Sequence, residues 1–551
     1  MKTSNNWWKE GVVYQIYPRS YKDTTGNGLG DIEGIIEKLD YIKSLGVNMV
    51  WICPVYVSPN DDNGYDIGDY REISEDFGGD KAFDRLLHEM HARGLKLIMD
   101  LVVNHSSDEH QWFEQAKQSK DNPYHDYYIW KEGTPGTPPN NWQSVFNGSV
   151  WEWNSLTQEY FLHYYTKKQP DLNWENPTVR KEIYAIIDFW LAKGVDGFRM
   201  DVISLISKRL SFQDVPASIS FIDVMEKVYA NGPRVHEYLQ EMNRQVLSKY
   251  DVVTVGEGPG VNLDHGPRYV SAKEKELNMV FHFDHLTIDF GPKGKYDPIP
   301  VDFIRFKEIF RQWDEALAED GWNSIFLGNH DFSRIVSRFG NDTQYHKESA
   351  KLLVTLLMSL RGTPYVYQGD EIGMTNVSHP SIDLYDDIET RNAWKAVEAK
   401  GKDMAAFLKA VHWQSRDNAR TPIQWDATAQ AGFTSGKPWI PVNENYPQIN
   451  VAAAEKDTDS ILHYYRKMIA YRKTNLCLVY GHFEDLLPQH PHLYVYKRWD
   501  ENNTYLVVHN FRDSKTNWEQ KEVGYLLETG NYTSHSSQHL SPWESRIYRL
   551  V

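Results

Sequence analysis

Cysteine is almost absent from this chain of 551 residues: Cys53 and Cys477 are the only two. That excludes a disulfide framework and points to a reducing compartment. Long apolar runs are missing too. Leu352 to Leu360 comes nearest, and Lys351 and Arg361 bound it, well short of the ~18 residues a membrane span needs. Basic residues are in deficit, 59 Lys and Arg against 76 Asp and Glu, for a formal charge of −17. A binder of phosphate backbones clusters cations instead, so nucleic acid is not an expected partner. The first residues, MKTSNNWWKEG, hold no long apolar segment and no small-residue cleavage site, so no leader is read there. The expectation is a cytoplasmic enzyme with no membrane partner. What is present suits a folded chain, with 41% hydrophobic and 25% charged residues. The length asks for two or three domains, although an α/β barrel can absorb much of it. Aromatics are abundant at 14%.

Strand and helix patterns alternate through the first half. VVYQIYP (12–18), MVWICP (49–54) and LKLIMDLV (95–102) read as buried parallel strands. Asp31 is a candidate N-cap for a helix of Ile32, Ile35, Ile36, Leu39, Ile42 and Leu45, closed by Gly46. Further strands are expected at 196–201, 252–257, 277–283, 324–331 and 363–371, with helices such as 179–194 and 347–362 between them. Eight strands, each followed by helix, predict a (β/α)8 barrel. Residues 105–173 break the alternation with dense Pro, Gly, Asn and Trp. From about residue 480 only short strands remain, LYVYKRW, TYLVVHNF and SRIYRLV. The predicted organisation is therefore a barrel at 1–104 and 174–479, a small inserted domain at 105–173 after the third strand, and a C-terminal all-β sandwich at 480–551.

Reactive residues of such barrels sit at the C-terminal strand ends. Those ends carry Asp100, Asp201, Glu257 and the pair His330-Asp331, with Arg199 two positions before Asp201 and so on the same strand face. Converging carboxylates repel, so at least one keeps its proton near neutral pH and can serve as a general acid. An adjacent arginine keeps its own carboxylate ionised, as a nucleophile requires. Acid on one side and nucleophile on the other fits glycoside hydrolysis. Any one of these residues alone reads more simply, an aspartate as a helix cap and a glutamate as a loop residue. Their combination carries the argument. His105 and His330 do not make a zinc site, because HSSDEH lacks the helical HExxH spacing and no cysteine joins it.

The segments DLVVNH (100–105), GFRMD (197–201), VGE (255–257) and LGNHD (327–331) resemble the four barrel segments of the α-amylase family, glycoside hydrolase family 13. WWKEGVVYQIYPRSY, DDNGYDIGDY, QPDLNWENP, YQGDEIGMTN and SRDNARTPIQW resemble its oligo-1,6-glucosidase, dextran glucosidase and α-glucosidase branch, and the likeness runs from Trp7 to the C-terminus. The resemblance implies a retaining, exo-acting α-glucosidase that works through a covalent glucosyl-enzyme and needs no cofactor for its chemistry. Asp201 would be the nucleophile, Glu257 the acid and base, and Asp331 the stabiliser of the distorted sugar. Arg199 would hold Asp201, with His105 and His330 on the non-reducing glucose. Asp62, Tyr65 and Arg416 would close the far end of that pocket, with Phe146 and Tyr165 adding aromatic walls. The carboxyls of Asp201 and Glu257 are expected about 5–5.5 Å apart. The family also suggests a structural calcium ion in DTTGNGLGD (23–31), on Asp23, Asn27, the Leu29 carbonyl and Asp31. Thr25 and Asn27 stand where more strongly ligating residues are usual, which lowers affinity. An ordinary glycine-rich turn capping the next helix is the alternative.

Val202 follows the nucleophile. In this branch valine there goes with α-1,6 preference, although valine is also simply a good strand residue. Gly258 and Phe332-Ser333 depart from the branch pattern on the leaving-group side, and Phe332 either stacks on a second sugar or fills the space beside Gly258. The region after the sixth strand reads TIDFGPKGKYDPIP. It lacks the arginine-rich loop of sucrose isomerases, so hydrolysis is expected over isomerisation. The substrate read from the sequence is a small neutral isomaltose-type oligosaccharide. Trehalose 6-phosphate and sucrose or trehalulose are the alternatives, and a monomer or weak homodimer is expected. A catalytically dead transporter-associated domain would carry a membrane span and lose carboxylates; neither applies here.

Overall fold

The structure is a computed structural model that describes residues 6–518 and 524–551. Residues 1–5 and 519–523, parts of the first and last expected domains, lie outside the described residues. Eight parallel strands form one sheet: β1 (Val13–Ile16), β2 (Met49–Ile52), β3 (Lys96–Leu101), β4 (Gly197–Met200), β5 (Val253–Gly258), β6 (Met279–His282), β7 (Ser324–Ile325) and β8 (Thr363–Tyr367). Their order is β6-β5-β4-β3-β2-β1-β8-β7. Between β6 and β7 a side chain makes the link: Ser324 Oγ donates to the Val280 carbonyl at 2.8 Å. The sequence-predicted (β/α)8 barrel is what forms.

Alternation along the strands explains the closure. Val13, Met49, Trp51, Ile98, Val253, Val255, Met279 and Phe281 pack together in one buried cluster. Their strand neighbours Tyr14, Val50, Leu97, Met99, Phe198 and Val280 belong to another, with the helices. One set fills the interior and the other meets the outer ring, as a strand covered on both faces requires.

Two local expectations change. The helix predicted after Asp31 does start there, with Asp31 accepting from Gly34 N–H, but it breaks at Lys38 into Ile32–Glu37 and Leu39–Ser44. The strand predicted over 324–331 stops at Ile325. Beyond it Asn329 Oδ1 takes the Asp331 N–H at 2.8 Å. That side-chain-closed turn swings His330 and Asp331 over the barrel mouth.

Between β3 and β4 lies a three-stranded antiparallel sheet of Trp130–Glu132, Glu159–Leu162 and Trp151–Asn154. A hairpin of Phe290–Gly291 and Gly294–Pro298 follows β6, and helices Ile388–Glu398 and Met404–Gln414 follow β8; both excursions supply walls of the mouth. At the C-terminus, strands His482–Asp485, Leu493–Trp499, Thr504–Asn510, Ser545–Leu550 and Tyr525–Gly530 make a five-stranded antiparallel sheet beside a two-stranded ribbon. It is fastened to the barrel by Arg498, whose guanidinium donates to the carbonyls of Ser359, Leu478, Cys477 and Gly481. No helix among the described residues is long and apolar enough to cross a membrane.

Candidate active site

A cavity of about 1220 Å³ opens at the C-terminal strand ends. Asp62, Tyr65, His105, Phe146, Tyr165, Asp201, Val202, Glu257, Asp331, Phe332 and Arg416 all line it. Its floor is organised by one guanidinium. Arg199, on β4 and 1% exposed, reaches Asp100 Oδ1 at 2.7 Å and Asp201 Oδ1 at 2.6 Å through Nη1, and Glu257 Oε1 at 2.7 Å through Nη2. The spacing of Arg199 and Asp201 did put them on one face. The sequence reading gave Arg199 to Asp201 alone, and here three carboxylates divide its charge. One cation cannot neutralise three buried anions. Burial first, then mutual repulsion, pushes Asp201 well above the usual carboxylate range and Glu257 upward, with Arg199 opposing in each case. Around one cation the three carboxylates therefore oppose one another's ionisation. Glu257 Oε2 also accepts the Val202 N–H at 3.0 Å.

Asp331 lies in the opposite electrostatic setting. Burial alone would raise it, but the His330 Nε2–H at 3.1 Å and the guanidinium charges of Arg416, Arg420 and Arg199 together hold it well below the usual range. Arg420 Nη2 and Arg416 Nη1 lie 2.7 and 3.3 Å from Asp331 Oδ1. Asp331 is thus the carboxylate of the mouth that is held ionised, while Asp201, which the adjacent arginine was expected to keep ionised, is pushed the other way together with Glu257 because the three carboxylates share that one guanidinium.

The imidazoles are neutral: burial takes His105 to about 4 and His330 to about 3. His330 Nδ1 faces Gln15 Nε2 at 2.8 Å, so its Nε2 carries the hydrogen, facing Tyr65 Oη at 2.7 Å and Asp331 Oδ2 at 3.1 Å. Tyr65 lies parallel to His330, ring centroids 5.3 Å apart, and its hydroxyl donates to Asp100 Oδ2 at 3.1 Å. The far end is closed by Asp62 with Arg416 Nη2 at 3.2 Å, and Gln169 Nε2 reaches Asp62 Oδ2 at 3.3 Å. Burial lifts Asp62 to about 7 against the pull of Arg416 and Arg420. Tyr165 packs between Phe146 and His105, at 5.3 and 5.4 Å. On the outer side Phe332 meets Phe283 at 5.8 Å and Phe290 at 6.5 Å, with Lys295 5.7 Å from its ring.

Sequence reasoning singled out neither Arg420, Gln169 nor Asp387, which anchors Arg416 at 2.6 Å. The first two lie inside the motifs SRDNARTPIQW and QPDLNWENP, where they could have been noticed; Asp387 offers no local signal.

The loop expected to hold calcium is arranged otherwise. Asp23 Oδ1 accepts from Thr25 and Gly26 N–H, and its Oδ2 from Gly28 N–H and Thr434 Oγ1. Asp31 accepts from Gly34 and Thr24 N–H, and Asn27 Oδ1 from Leu29 N–H. Every side-chain oxygen a cation would use is turned onto an N–H or O–H of the protein. In this arrangement the loop is the glycine-rich turn that caps the next helix through Asp31, and among the described residues no group of three or more His, Cys, Asp and Glu could hold a metal.

Residues 15–481 match the α-amylase catalytic domain, and the chain belongs to that family. It is a glycoside hydrolase with that family's barrel. An oligo-1,6-glucosidase of Parageobacillus thermoglucosidasius is 53% identical over 99% of both chains. Among solved structures, a trehalose-6-phosphate hydrolase of Bacillus licheniformis superposes with a TM-score of 0.94 at 45% identity, covering 99% of this chain and 100% of that one. An isomaltulose synthase of Klebsiella sp. LX3 superposes at 0.96 with 44% identity over all of both chains.

Proposed function

We propose that the protein is a retaining exo-α-glucosidase releasing glucose from the non-reducing end of short α-1,6-linked gluco-oligosaccharides. One observation carries the mechanism: Arg199 holds Asp201 and Glu257 side by side at the cavity floor. Asp201 attacks the anomeric carbon and forms a covalent glucosyl-enzyme. Glu257, whose burial favours its protonated form, gives its proton to the departing oxygen, then takes one from water. Asp331, held ionised, steadies the oxocarbenium-like sugar, while His105, His330, Asp62 and Arg416 grip its hydroxyls. Tyr65, Phe146 and Tyr165 exclude water around the ring.

Val202 at the cavity wall and the name of the P. thermoglucosidasius relative support the α-1,6 linkage. A second reading, a glucoside with an anionic leaving group such as trehalose 6-phosphate, is supported by the likeness to the B. licheniformis trehalose-6-phosphate hydrolase, with Lys293, Lys400, Lys402 and Lys409 on a cavity wall that also carries Glu226, Asp284, Asp297 and Asp403. The reading includes a cytoplasmic location, supported by two free, buried cysteines, a monomer or weak homodimer, and the domain boundaries given above.

Glucose release from isomaltose, maltose, sucrose and trehalose 6-phosphate separates the substrates, and Glu257→Gln tests the mechanism. Isomaltose is expected to turn over fastest, and the variant to lose about 10²–10⁴-fold on unactivated disaccharides. Faster maltose cleavage would overturn the linkage, and an unchanged variant would overturn the acid.

A further inference from the structure

The residue after Asp201 adopts a backbone conformation that valine disfavours. Val202 has φ 36° and ψ 40°, in the left-handed region, where a β-branched side chain crowds its own backbone. What the distortion achieves is visible next to it: the turn aims the Val202 N–H at Glu257 Oε2, 3.0 Å away. Strain of this kind persists only where the surroundings impose it.

One buried side chain braces the far end of that turn. Lys208, 4% exposed, donates to the Leu205 carbonyl at 2.7 Å, at the end of the same turn. It also donates to Asn104 Oδ1 at 2.5 Å and pairs with Asp171 Oδ2 at 2.7 Å. An ammonium has three N–H donors, and each is committed to a different segment. The three segments are the turn after β4, the exit of β3 and the stretch leading from the inserted sheet back to the barrel. Asn104 Nδ2 in turn reaches His105 Nδ1 at 3.2 Å.

We propose that Lys208 is a positioning residue for the hydrolysis. It holds the left-handed turn that carries the Val202 N–H onto Glu257, and through Asn104 it fixes His105. This rests on the reading of Glu257 as proton donor. Glu257 faces Arg199, Asp201, Asp331, Asp100 and Tyr165, while Lys208 faces Asp171, the Tyr164 ring and, through its charge, His105. An N–H given to a carboxylate favours its ionised form. If the turn relaxes, Glu257 loses that donor and keeps its proton to higher pH, while its alignment on the leaving oxygen degrades.

The test is a double-mutant cycle of Lys208→Met with Val202→Gly, because glycine takes the left-handed conformation without steric cost. In the Val202 background, Lys208→Met is expected to lower kcat/KM on the order of ten- to a hundredfold. The basic limb of its pH profile should move up. In the Val202→Gly background the loss should shrink to about threefold or less, and Lys208→Arg should restore part of it. An equal loss in both backgrounds, or a variant that is merely less stable with wild-type KM and pH profile, overturns the proposal. Coupling without movement of the basic limb would keep the positioning role and overturn Glu257 as the acid. If Lys208→Met yields no folded protein, Lys208→Gln, with two donors instead of three, takes its place in the cycle.

Discussion

Replacing Asp62 by asparagine should make the enzyme worse and the protein more stable, and the gain should depend on pH. Asp62 is 4% exposed, and burial lifts its carboxyl from an ordinary 3.8 to about 7 although Arg416 and Arg420 pull it down. A difference of about three pH units is worth about 4 kcal/mol. The folded pKa is raised, so the folded state binds the extra proton. The stability this group contributes is complete below about pH 3.8, declines as pH rises, and is lost once pH passes about 7. Asparagine cannot ionise and escapes that decline. Arg416 is not stranded by the change, because Asp387 and Asp331 lie 2.6 and 3.3 Å from it. Asp62→Asn should therefore match the wild type near pH 4 and exceed it at pH 8 by a few °C in Tm, measured at one scan rate. Activity should move the other way. A charge-assisted hydrogen bond to a glucose hydroxyl is worth about 1.5–3 kcal/mol, so kcat/KM should fall about 10- to 150-fold. A stability difference that does not grow between pH 4 and pH 8 would refute the reasoning, whatever happens to activity.

Two other outcomes follow from the same geometry. Arg498→Met strands the carbonyls of Ser359 and Gly481, while Leu478 keeps Arg472 and Cys477 keeps the Gly481 N–H; it should cost about 2–5 kcal/mol and lower Tm, while activity per folded molecule at 25 °C stays the same. A chelator should leave Tm unchanged, because the Asp23 and Asp31 carboxylates are already occupied by N–H and O–H groups; a fall in Tm on chelation, reversed by calcium, would show that the loop rearranges around a cation.

Sequence alone determined the barrel and named the candidate carboxylates that the fold brings to its mouth. Strands buried on both faces leave unbroken apolar runs, and helices leave a three-and-four spacing, so both are local signals. Asp201 and Arg199 could be paired because strand geometry fixes which side chains share a face. What the tertiary structure decided is how charge is shared. That Arg199 serves Asp100 and Glu257 as well as Asp201, that Asp387 anchors Arg416 from 29 positions away, and that Lys208 reaches Asn104 across 104 depend on distances between chain-remote atoms. The loop at 23–31 makes the same point from the other side. Its residue types allow calcium or a plain turn, and only the direction in which Asp23 and Asp31 spend their oxygens separates the two. Residue type sets what a side chain can do; hydrogen bonds need contact and charge interactions grow as distance and local dielectric shrink, so which of those things it does is settled by the neighbours the fold supplies.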